Sequence, residues 1–358
     1  MRALIAAGGT GGHIYPALAV AQEIMRRAPE SEVRFVGTAR GLETRLVPQA
    51  GFELSLIESA GLVNMGMTAR ARGLALLPRS FFAARRLIRS FGPEVVVGAG
   101  GYVTGPVLLT AALLRLPTLV MESNAIPGFT NRRLARFVRA AAVSFEVTVP
   151  FFPGKAIVTG NPVRPDFFGI PAKQRDPKSI SLLLFGGSQG SRALNEAMIS
   201  ALPLLESERE RLRIVHQTGP SDFERVRSAY EEADWLAAAE VREYIDDMMM
   251  AFTKADLIVS RAGATTSAEL AAAGRAAIMV PLPGQLEQQR NAEVLQTAGG
   301  ARMILQTQLT GDRLADEIKR LVAAPERITE MEKAVRTLAR PGAASATVDL
   351  IEELIGTR

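Results

Sequence analysis

Two apolar strands that run straight into glycine-rich loops constrain this chain more than any other feature. The first, Arg2–Ala7, opens into Gly-Gly-Thr-Gly-Gly-His-Ile-Tyr-Pro at 8–16, and the second, Ser181–Phe185, opens into Gly-Gly-Ser-Gln-Gly-Ser at 186–191. Glycine has no Cβ to hold a neighbouring backbone, a phosphate or a sugar at a distance, and a helix starting behind such a loop adds positive potential. The same strand, loop and helix start, met twice about half a chain apart, predicts two nucleotide-type lobes facing a common cleft.

The rest of the pattern agrees. Apolar segments at Arg2–Ala7, Glu32–Val36, Phe52–Ile57, Val95–Val97, Thr118–Met121, Ala141–Val143 and Ala156–Thr159 alternate with helical patterns such as Ala17–Arg27, Leu42–Gln49 and Arg79–Phe91. Short, continuously apolar strands of this kind belong to parallel sheets covered on both faces. The pattern restarts with Ser181–Phe185, Arg213–Gln217, Val241–Tyr244, Leu257–Ser260 and Ala277–Val280. Gly-Asn-Pro-Val-Arg at 160–164 breaks any regular element and marks the boundary. After Pro341-Gly342 a final helix, Ala343–Ile355, is placed to cross back to the first lobe. The division expected is 1–162 with 342–358, and 163–341. A chain of 358 residues is large for one core, so two domains are also the prior from length.

Composition excludes several classes. Cys is absent, which removes disulfides, thiolate metal sites and a Cys nucleophile and fits a reducing compartment. No apolar run reaches membrane-spanning length and no signal peptide stands at the start, so a cytoplasmic protein is expected. Residues 1–162 hold 18 Lys and Arg against 9 Glu and no Asp, while residues 163–358 hold 24 against 28 acidic residues. A basic first half implies an anionic partner on that side. Nucleic acid fits poorly, because aromatics are sparse and no recognised binding motif occurs.

The first glycine loop lacks G-x-G-x-x-G spacing, and no acidic residue ends the following strand to hold a ribose, which argues against NAD. His13, one of two histidines, is expected to be exposed at the loop tip with a pKa near 6.5, suited to taking a proton from a hydroxyl. His216 reads as a strand-end residue. A third cluster, Gly100, Gly101 and Tyr102 in Val-Gly-Ala-Gly-Gly-Tyr-Val-Thr-Gly-Pro at 97–106, either lines the site for a second substrate or permits close helix–strand packing. Ala264, Thr265 and Glu269 lie at a helix start, where Glu269 is either a ribose-diol acceptor or a carboxylate complementing the helix dipole. Gln288 and Gln289 open another helix, and amides suit sugar hydroxyls because they both donate and accept. Metal chemistry is weakly supported: the chain has no Asp-x-Asp pair, and Asp246-Asp247 fits a strand-to-helix turn. Leu74, Leu76, Leu77, Phe81 and Phe82 interleave with Arg79, Arg85 and Arg86. That composition fits an interfacial membrane patch or an ordinary amphipathic helix with a basic face.

On these residues the chain resembles the bacterial peptidoglycan glycosyltransferases of the MurG family. The shared motifs run nearly its full length. They include Gly-Gly-Thr-Gly-Gly-His at 8–13, Gly-Gly-Tyr-Val-Thr-Gly-Pro at 100–106, Gly-Asn-Pro-Val-Arg at 160–164, Gly-Gly-Ser-Gln-Gly-Ser-Arg at 186–192, Tyr-Ile-Asp-Asp-Met at 244–248, Arg-Ala-Gly-Ala-Thr-Thr-Ser-Ala-Glu at 261–269 and Gln-Gln-Arg-Asn at 288–291. The resemblance implies an α/β GT-B fold, two Rossmann-like parallel-sheet lobes with an interlobe cleft. It implies transfer of N-acetylglucosamine from UDP-GlcNAc to undecaprenyl-diphospho-N-acetylmuramoyl-pentapeptide (lipid I), giving lipid II for the cell wall, without a cofactor or metal. Thr10, Gly11, Gly12 and Asn124 would contact the donor from the first lobe. From the second, Arg164 and Ser188 would hold the diphosphate, Ile245 the uracil, Glu269 the ribose, and Gln288 or Gln289 the sugar. His13 and Glu122 stand where the family places candidates for the base. The family commonly reads His-Glu-Gln-Asn where this chain has Met-Glu-Ser-Asn at 121–124, so Met121 and Ser123 cannot repeat those contacts. A peripheral place on the cytoplasmic face of the membrane is implied, with other peptidoglycan-synthesis proteins as further partners. Two rival readings remain: a UDP-GlcNAc 2-epimerase, which leaves the basic apolar patch unexplained, and a non-catalytic nucleotide-sugar-binding scaffold.

Overall fold

The computed structural model describes residues 1–39, 41–59, 67–176 and 178–356, and side chains throughout these except at 67–75. The chain folds as two units, Met1–Arg164 with Arg340–Arg358, and Pro165–Ala339. The first contains β1 (Arg2–Ala7), α1 (Gly11–Arg27), β2 (Glu32–Gly37), α2 (Glu43–Gln49), β3 (Glu53–Leu56), α3 (Met67–Phe91) and β4 (Val95–Gly100). It continues with α4 (Thr104–Leu113), β5 (Thr118–Glu122), α5 (Phe129–Leu134), β6 (Ala140–Val143) and β7 (Ala156–Val158). The second contains β8 (Ile180–Phe185), α6 (Arg192–Ala201), β9 (Leu212–Gln217), α7 (Phe223–Glu232), β10 (Ala239–Arg242), α8 (Met248–Lys254) and β11 (Leu257–Ser260). There follow α9 (Ala264–Ala273), β12 (Ala276–Met279), α10 (Leu286–Thr297), β13 (Ala301–Met303), α11 (Gly311–Val322) and α12 (Pro325–Arg336), after which α13 (Ala343–Gly356) returns to the first unit.

Both sheets are parallel. Their strand orders are β3-β2-β1-β4-β5-β6-β7 and β10-β9-β8-β11-β12-β13. Because side chains alternate along a strand, β1 feeds two cores at once. Ala3, Ile5 and Ala7 face one layer with Ile14, Ala17, Ala21 and Ile24 of α1. Leu4 and Ala6 face the other with Ala84 and Ile88 of α3 and Val107, Leu108 and Ala111 of α4. The buried α1 residues recur three and four apart, as one helix face requires. In each sheet the strand order reverses beside its first strand, β1 against β4 and β8 against β11. The loops leaving such neighbours diverge to opposite faces and leave room for a ligand.

α13 docks on the α1 side of the first sheet. Val348, Leu350 and Ile351 join the Ile5–Ile14–Ile24 core, and Arg27 at the end of α1 donates to Asp349 Oδ1 at 2.6 Å and to the Ser345 carbonyl at 3.0 Å.

Several elements differ from the sequence expectation, among them α3, which begins at Met67 rather than Arg79. α1 begins at Gly11 rather than Ala17, so His13 lies in its first turn and Pro16 is its sixth residue, where Pro cannot donate to the Gly12 carbonyl. β10 ends at Arg242 rather than Tyr244, because the following residues turn across the end of β9, where Gly219 N–H donates to the Glu243 carbonyl. β13 was too short and too polar (Ala-Arg-Met) to show as a strand.

Ile351 is fully buried, so Ile351→Ala should lower the stability of the full chain by about 2–5 kcal/mol in urea unfolding. A loss under about 0.5 kcal/mol, the range of an exposed site, would show that α13 is not part of this core.

Candidate functional site

In the first unit, the loops leaving β1 and β4 lie against each other. A Cβ on Gly101 would collide with the Gly8 carbonyl, and Gly100 (φ +116°) leaves the space that the His13 ring fills. Thr104 holds the β4 exit, accepting from Gly100 N–H at 3.1 Å and donating to the Gly100 carbonyl at 2.8 Å. The His13 ring is half-buried, with Nδ1 at 3.2 Å from the Gly8 carbonyl. A carbonyl only accepts, so Nδ1 carries the proton and Nε2 is left as the basic nitrogen. The expectation of an exposed imidazole at its ordinary pKa is corrected here. Burial lowers it below 6.5, partly opposed by the Gly8 hydrogen bond and by the charge of Glu43.

Thr10 is the exposed N-cap residue of α1 and makes no side-chain cap bond. With Gly11 and Gly12 it forms the anion-attracting end of that helix. Tyr102 is exposed just beyond Gly101, its carbonyl accepting from Ser59 Oγ at 2.8 Å.

Glu122 ends β5 and is buried. Its Oε1 accepts from Asn124 N–H at 2.9 Å and Asn124 Nδ2 at 3.0 Å. Its Oε2 accepts from Asn131 Nδ2 at 2.8 Å and Gly128 N–H at 3.2 Å. Burial pushes its pKa up, and these donors pull it back. Both oxygens are engaged, so the carboxylate shapes the loop that carries Asn124. Ser123 turns inward to Asn161 Oδ1 at 3.0 Å.

Sequence reasoning missed Glu43, which is fully buried beneath the first glycine loop. Its Oε2 accepts from Gly9 N–H at 2.9 Å, and its Oε1 accepts from the N–H and Oγ of Thr38, each at 2.9 Å. A Cβ on Gly8 would stand 2.9 Å from Oε1, and one on Gly37 2.5 Å from Cγ. The signal was present as glycines at 8, 37 and 41 around one acidic residue. It is legible only once the fold brings the ends of β1 and β2 together.

In the second unit the β8 loop interlocks with the turn after β9: a Cβ on Gly190 (φ +73°) would collide with the Thr218 carbonyl. Ser188 is exposed at the loop tip, and Ser191 caps α6 and accepts from Arg261 Nη2 at 2.7 Å. His216 is buried, as a strand-end residue should be. Its Nδ1 lies 3.1 Å from Tyr230 Oη and its Nε2 3.0 Å from Asn195 Oδ1, and burial drives its pKa down to about 3. Gln217 was also missed. Its Nε2 donates to the Gly187 carbonyl at 2.9 Å and its Oε1 accepts from Ile245 N–H at 2.9 Å, so one amide joins the glycine loop to the Ile245 turn. Ile245 itself is buried. Asp247 caps α8, accepting from Met250 N–H at 2.9 Å, in line with the turn reading of the Asp pair.

α9 starts at Ala264 behind Gly263, which offers no side-chain cap. Thr265 Oγ1 is buried there without a hydrogen-bond partner. Leaving such a group unsatisfied costs about 1–3 kcal/mol. Glu269 lies four residues on, on the same helix face. Gln288 folds back on its own loop, accepting from Leu282 N–H and donating to Gln285 Oε1, both at 3.0 Å. Gln289 donates to Glu293 Oε1 at 2.9 Å. Arg164 is exposed at the last residue of the first unit's main segment. Among the described residues no group of three or more His, Asp or Glu is gathered as metal ligands.

α3 buries Ser80, Ala84, Ile88 and Phe91 and exposes Arg79, Phe82, Arg85 and Arg86, with Leu76, Leu77 and Phe81 half-buried. Phe82 is 72% exposed and sits among the three arginines at helical spacing. The side chain of Leu74 lies outside the described residues. Among the described residues, no helix is long and apolar enough to cross a membrane.

Comparison with known proteins bears on the fold and the family. Residues 3–143 match the glycosyltransferase family 28 N-terminal domain and residues 181–353 the family 28 C-terminal domain. A UDP-N-acetylglucosamine–N-acetylmuramyl-(pentapeptide) pyrophosphoryl-undecaprenol N-acetylglucosamine transferase of Anaeromyxobacter dehalogenans is 46% identical, over 100% of this chain and 94% of its own. The crystal structure of Acinetobacter baumannii MurG superposes with a TM-score of 0.82 at 34% identity, covering 98% of this chain and 99% of that one. UDP-GlcNAc 2-epimerase from Neisseria meningitidis, at 15% identity, a TM-score of 0.71 and coverage of 99% and 100%, shares the fold. The two glycine-loop units are thus the paired Rossmann-like lobes of a GT-B enzyme, and the chain belongs to glycosyltransferase family 28, within the MurG family of N-acetylglucosaminyltransferases.

Proposed function

We propose that the chain makes lipid II by moving N-acetylglucosamine from UDP-GlcNAc to the C4 hydroxyl of the muramoyl sugar of lipid I, with inversion to a β-1,4 linkage. His13 Nε2 takes the hydroxyl proton as O4 attacks the anomeric carbon. The bond from that carbon to the diphosphate breaks, and UDP leaves with the electron pair. The observation that carries this reading is the His13 imidazole, whose Nδ1 is held by the Gly8 carbonyl so that Nε2 is basic. Glu122, bonded at both oxygens, positions Asn124 instead.

Residues 163–341 form the donor lobe in this reading. Ser188, Arg164 and the helix N-termini stabilise the departing diphosphate. Thr265 Oγ1 and the start of α9 meet the nucleotide, and Glu269 accepts from the ribose diol. The Ile245 N–H is already taken by Gln217, so uracil meets the Ile245 carbonyl or side chain. Gln288 or Gln289 turns from its present partner to the sugar. Residues 1–162 with 342–358 form the acceptor lobe, with Thr10, Gly11, Gly12, Gly100, Gly101 and Tyr102 lining its site. The exposed arginines around Phe82 support a peripheral seat on the anionic cytoplasmic face of the cell membrane, where lipid I and other peptidoglycan-synthesis proteins lie.

Release of UDP from UDP-GlcNAc only when a lipid-linked muramoyl acceptor is added is the central test; release without it would favour an epimerase or hydrolase, and none at all a binding scaffold. His13→Ala should lower kcat about 10²–10⁴-fold with little change in donor affinity. Because burial holds His13 below 6.5 and the neutral ring is the active form, the acid limb of kcat/KM should fall below that pH. Glu269→Ala should raise the UDP-GlcNAc Kd about tenfold or more, the worth of a charged hydrogen bond. Vesicles rich in anionic lipid should retain the protein and release it once Arg79, Arg85 and Arg86 are reversed in charge; retention after reversal would remove that patch.

A further inference from the structure

We propose that Glu43 is a positioning residue for the reaction, acting on His13 through the single peptide group that joins Gly8 to Gly9. That peptide presents its carbonyl to His13 Nδ1 at 3.2 Å and its N–H to Glu43 Oε2 at 2.9 Å. Carboxylate, amide and imidazole therefore form a continuous hydrogen-bonded line, with a backbone amide standing between base and anion. Both hydrogen bonds polarise the amide in the same sense. The carboxylate draws on the N–H, the carbonyl oxygen becomes richer in electrons, and its hold on Nδ1–H strengthens.

The carboxylate is built into its place. Oε1 is held by two donors of Thr38, and the side chain is fully buried in space left by glycines. Two of its three hydrogen bonds come from backbone N–H groups, which can only donate. A buried anion is costly unless it is paired or hydrogen-bonded. The Gly9 and Thr38 N–H groups reach different oxygens, so an amide, with one acceptor oxygen, could take only one of them. The charge gains a use when His13 takes a proton, because an imidazolium forms in a site where burial disfavours it.

The other titratable groups near His13 do not compete. After β4, Tyr102 is exposed, and on α2 Arg45 points to solvent. After β5, Glu122 is consumed by Asn124 and Asn131. On α13, Asp349 and Glu352 pair with Arg27 at the far end of α1. Among the described residues Glu43 is the charge whose field reaches the ring.

The inference rests on His13 as the base, and two readouts keep the failures apart. With two histidines in the chain, the imidazole signal that His13→Ala removes from the proton NMR spectrum is that of His13. In Glu43→Gln its midpoint should move down by about half a unit or more, a shift in the equilibrium of roughly threefold. In the same variant kcat should fall about tenfold or more while KM for UDP-GlcNAc stays within about twofold, the pattern of an interaction made in the transition state. Should that variant not fold, Glu43→Asp carries the test, since its shorter carboxylate withdraws from the Gly9 N–H and the midpoint falls likewise. A midpoint that stays in place in a folded variant overturns the inference, even if kcat drops, because Glu43 would then only shape the loop. A lowered midpoint with unchanged kcat shows the coupling but overturns its part in the reaction, and the fault then lies with His13 as base.

Discussion

Backbone-to-backbone contact at the strand exits is the constraint on which both units depend. Where β1 and β4 diverge, the chain after Gly100 packs on the Gly8 carbonyl so closely that a Cβ at 101 has no room. The Gly190 turn meets the Thr218 carbonyl in the same way. Contacts this tight set the direction of each following helix and hence where its N-terminal N–H groups point. They also set where the side chains of the first turn can go. His13 occupies the volume that Gly100 vacates, and its tautomer follows from the Gly8 carbonyl.

Each lobe backs its loop with a buried polar assembly. Beneath the first loop it is Glu43 with Thr38; beneath the second it is His216 with Tyr230 and Asn195, together with Gln217 joined to Gly187 and Ile245. Asn195 also donates to the Thr218 carbonyl at 3.0 Å and to Asp222 Oδ2 at 2.9 Å. These groups are satisfied by neutral or charge-assisted bonds, and an unsatisfied member in such surroundings would be costly. The two assemblies differ in where the carboxylate lies: Asp222 reaches His216 through the Asn195 side chain, whereas Glu43 stands one backbone peptide behind His13.

Much of the fold was legible in order along the chain, because parallel strands buried on both faces leave uninterrupted apolar runs. Val95–Val97 and Leu182–Phe185 could be read that way. Elements carried by few or polar residues could not. β13 contributes Ala-Arg-Met, and the register end of β10 depends on which backbone groups the Gly219 turn takes. Of the site, the glycine loops, His13 and the Thr265–Glu269 helix start were visible as motifs. Glu43 and Gln217 were not, since each matters through a partner 34 and 30 or 28 residues away.

The amino-acid order by itself determined the two-sheet architecture, the exclusion of thiolate chemistry, the basic first half and the family to which the motifs belong. The first three follow from local periodicity or composition and the last from the resemblance of the motifs, none of which needs knowledge of long-range neighbours. Only the tertiary structure decided which nitrogen of His13 is basic, that Glu122 is occupied at both oxygens, and that a buried carboxylate stands one peptide behind the imidazole. The first two join groups two to nine residues apart and the last joins groups 34 apart, yet all three are distances that folding sets through the packing of whole elements and that no residue pattern states.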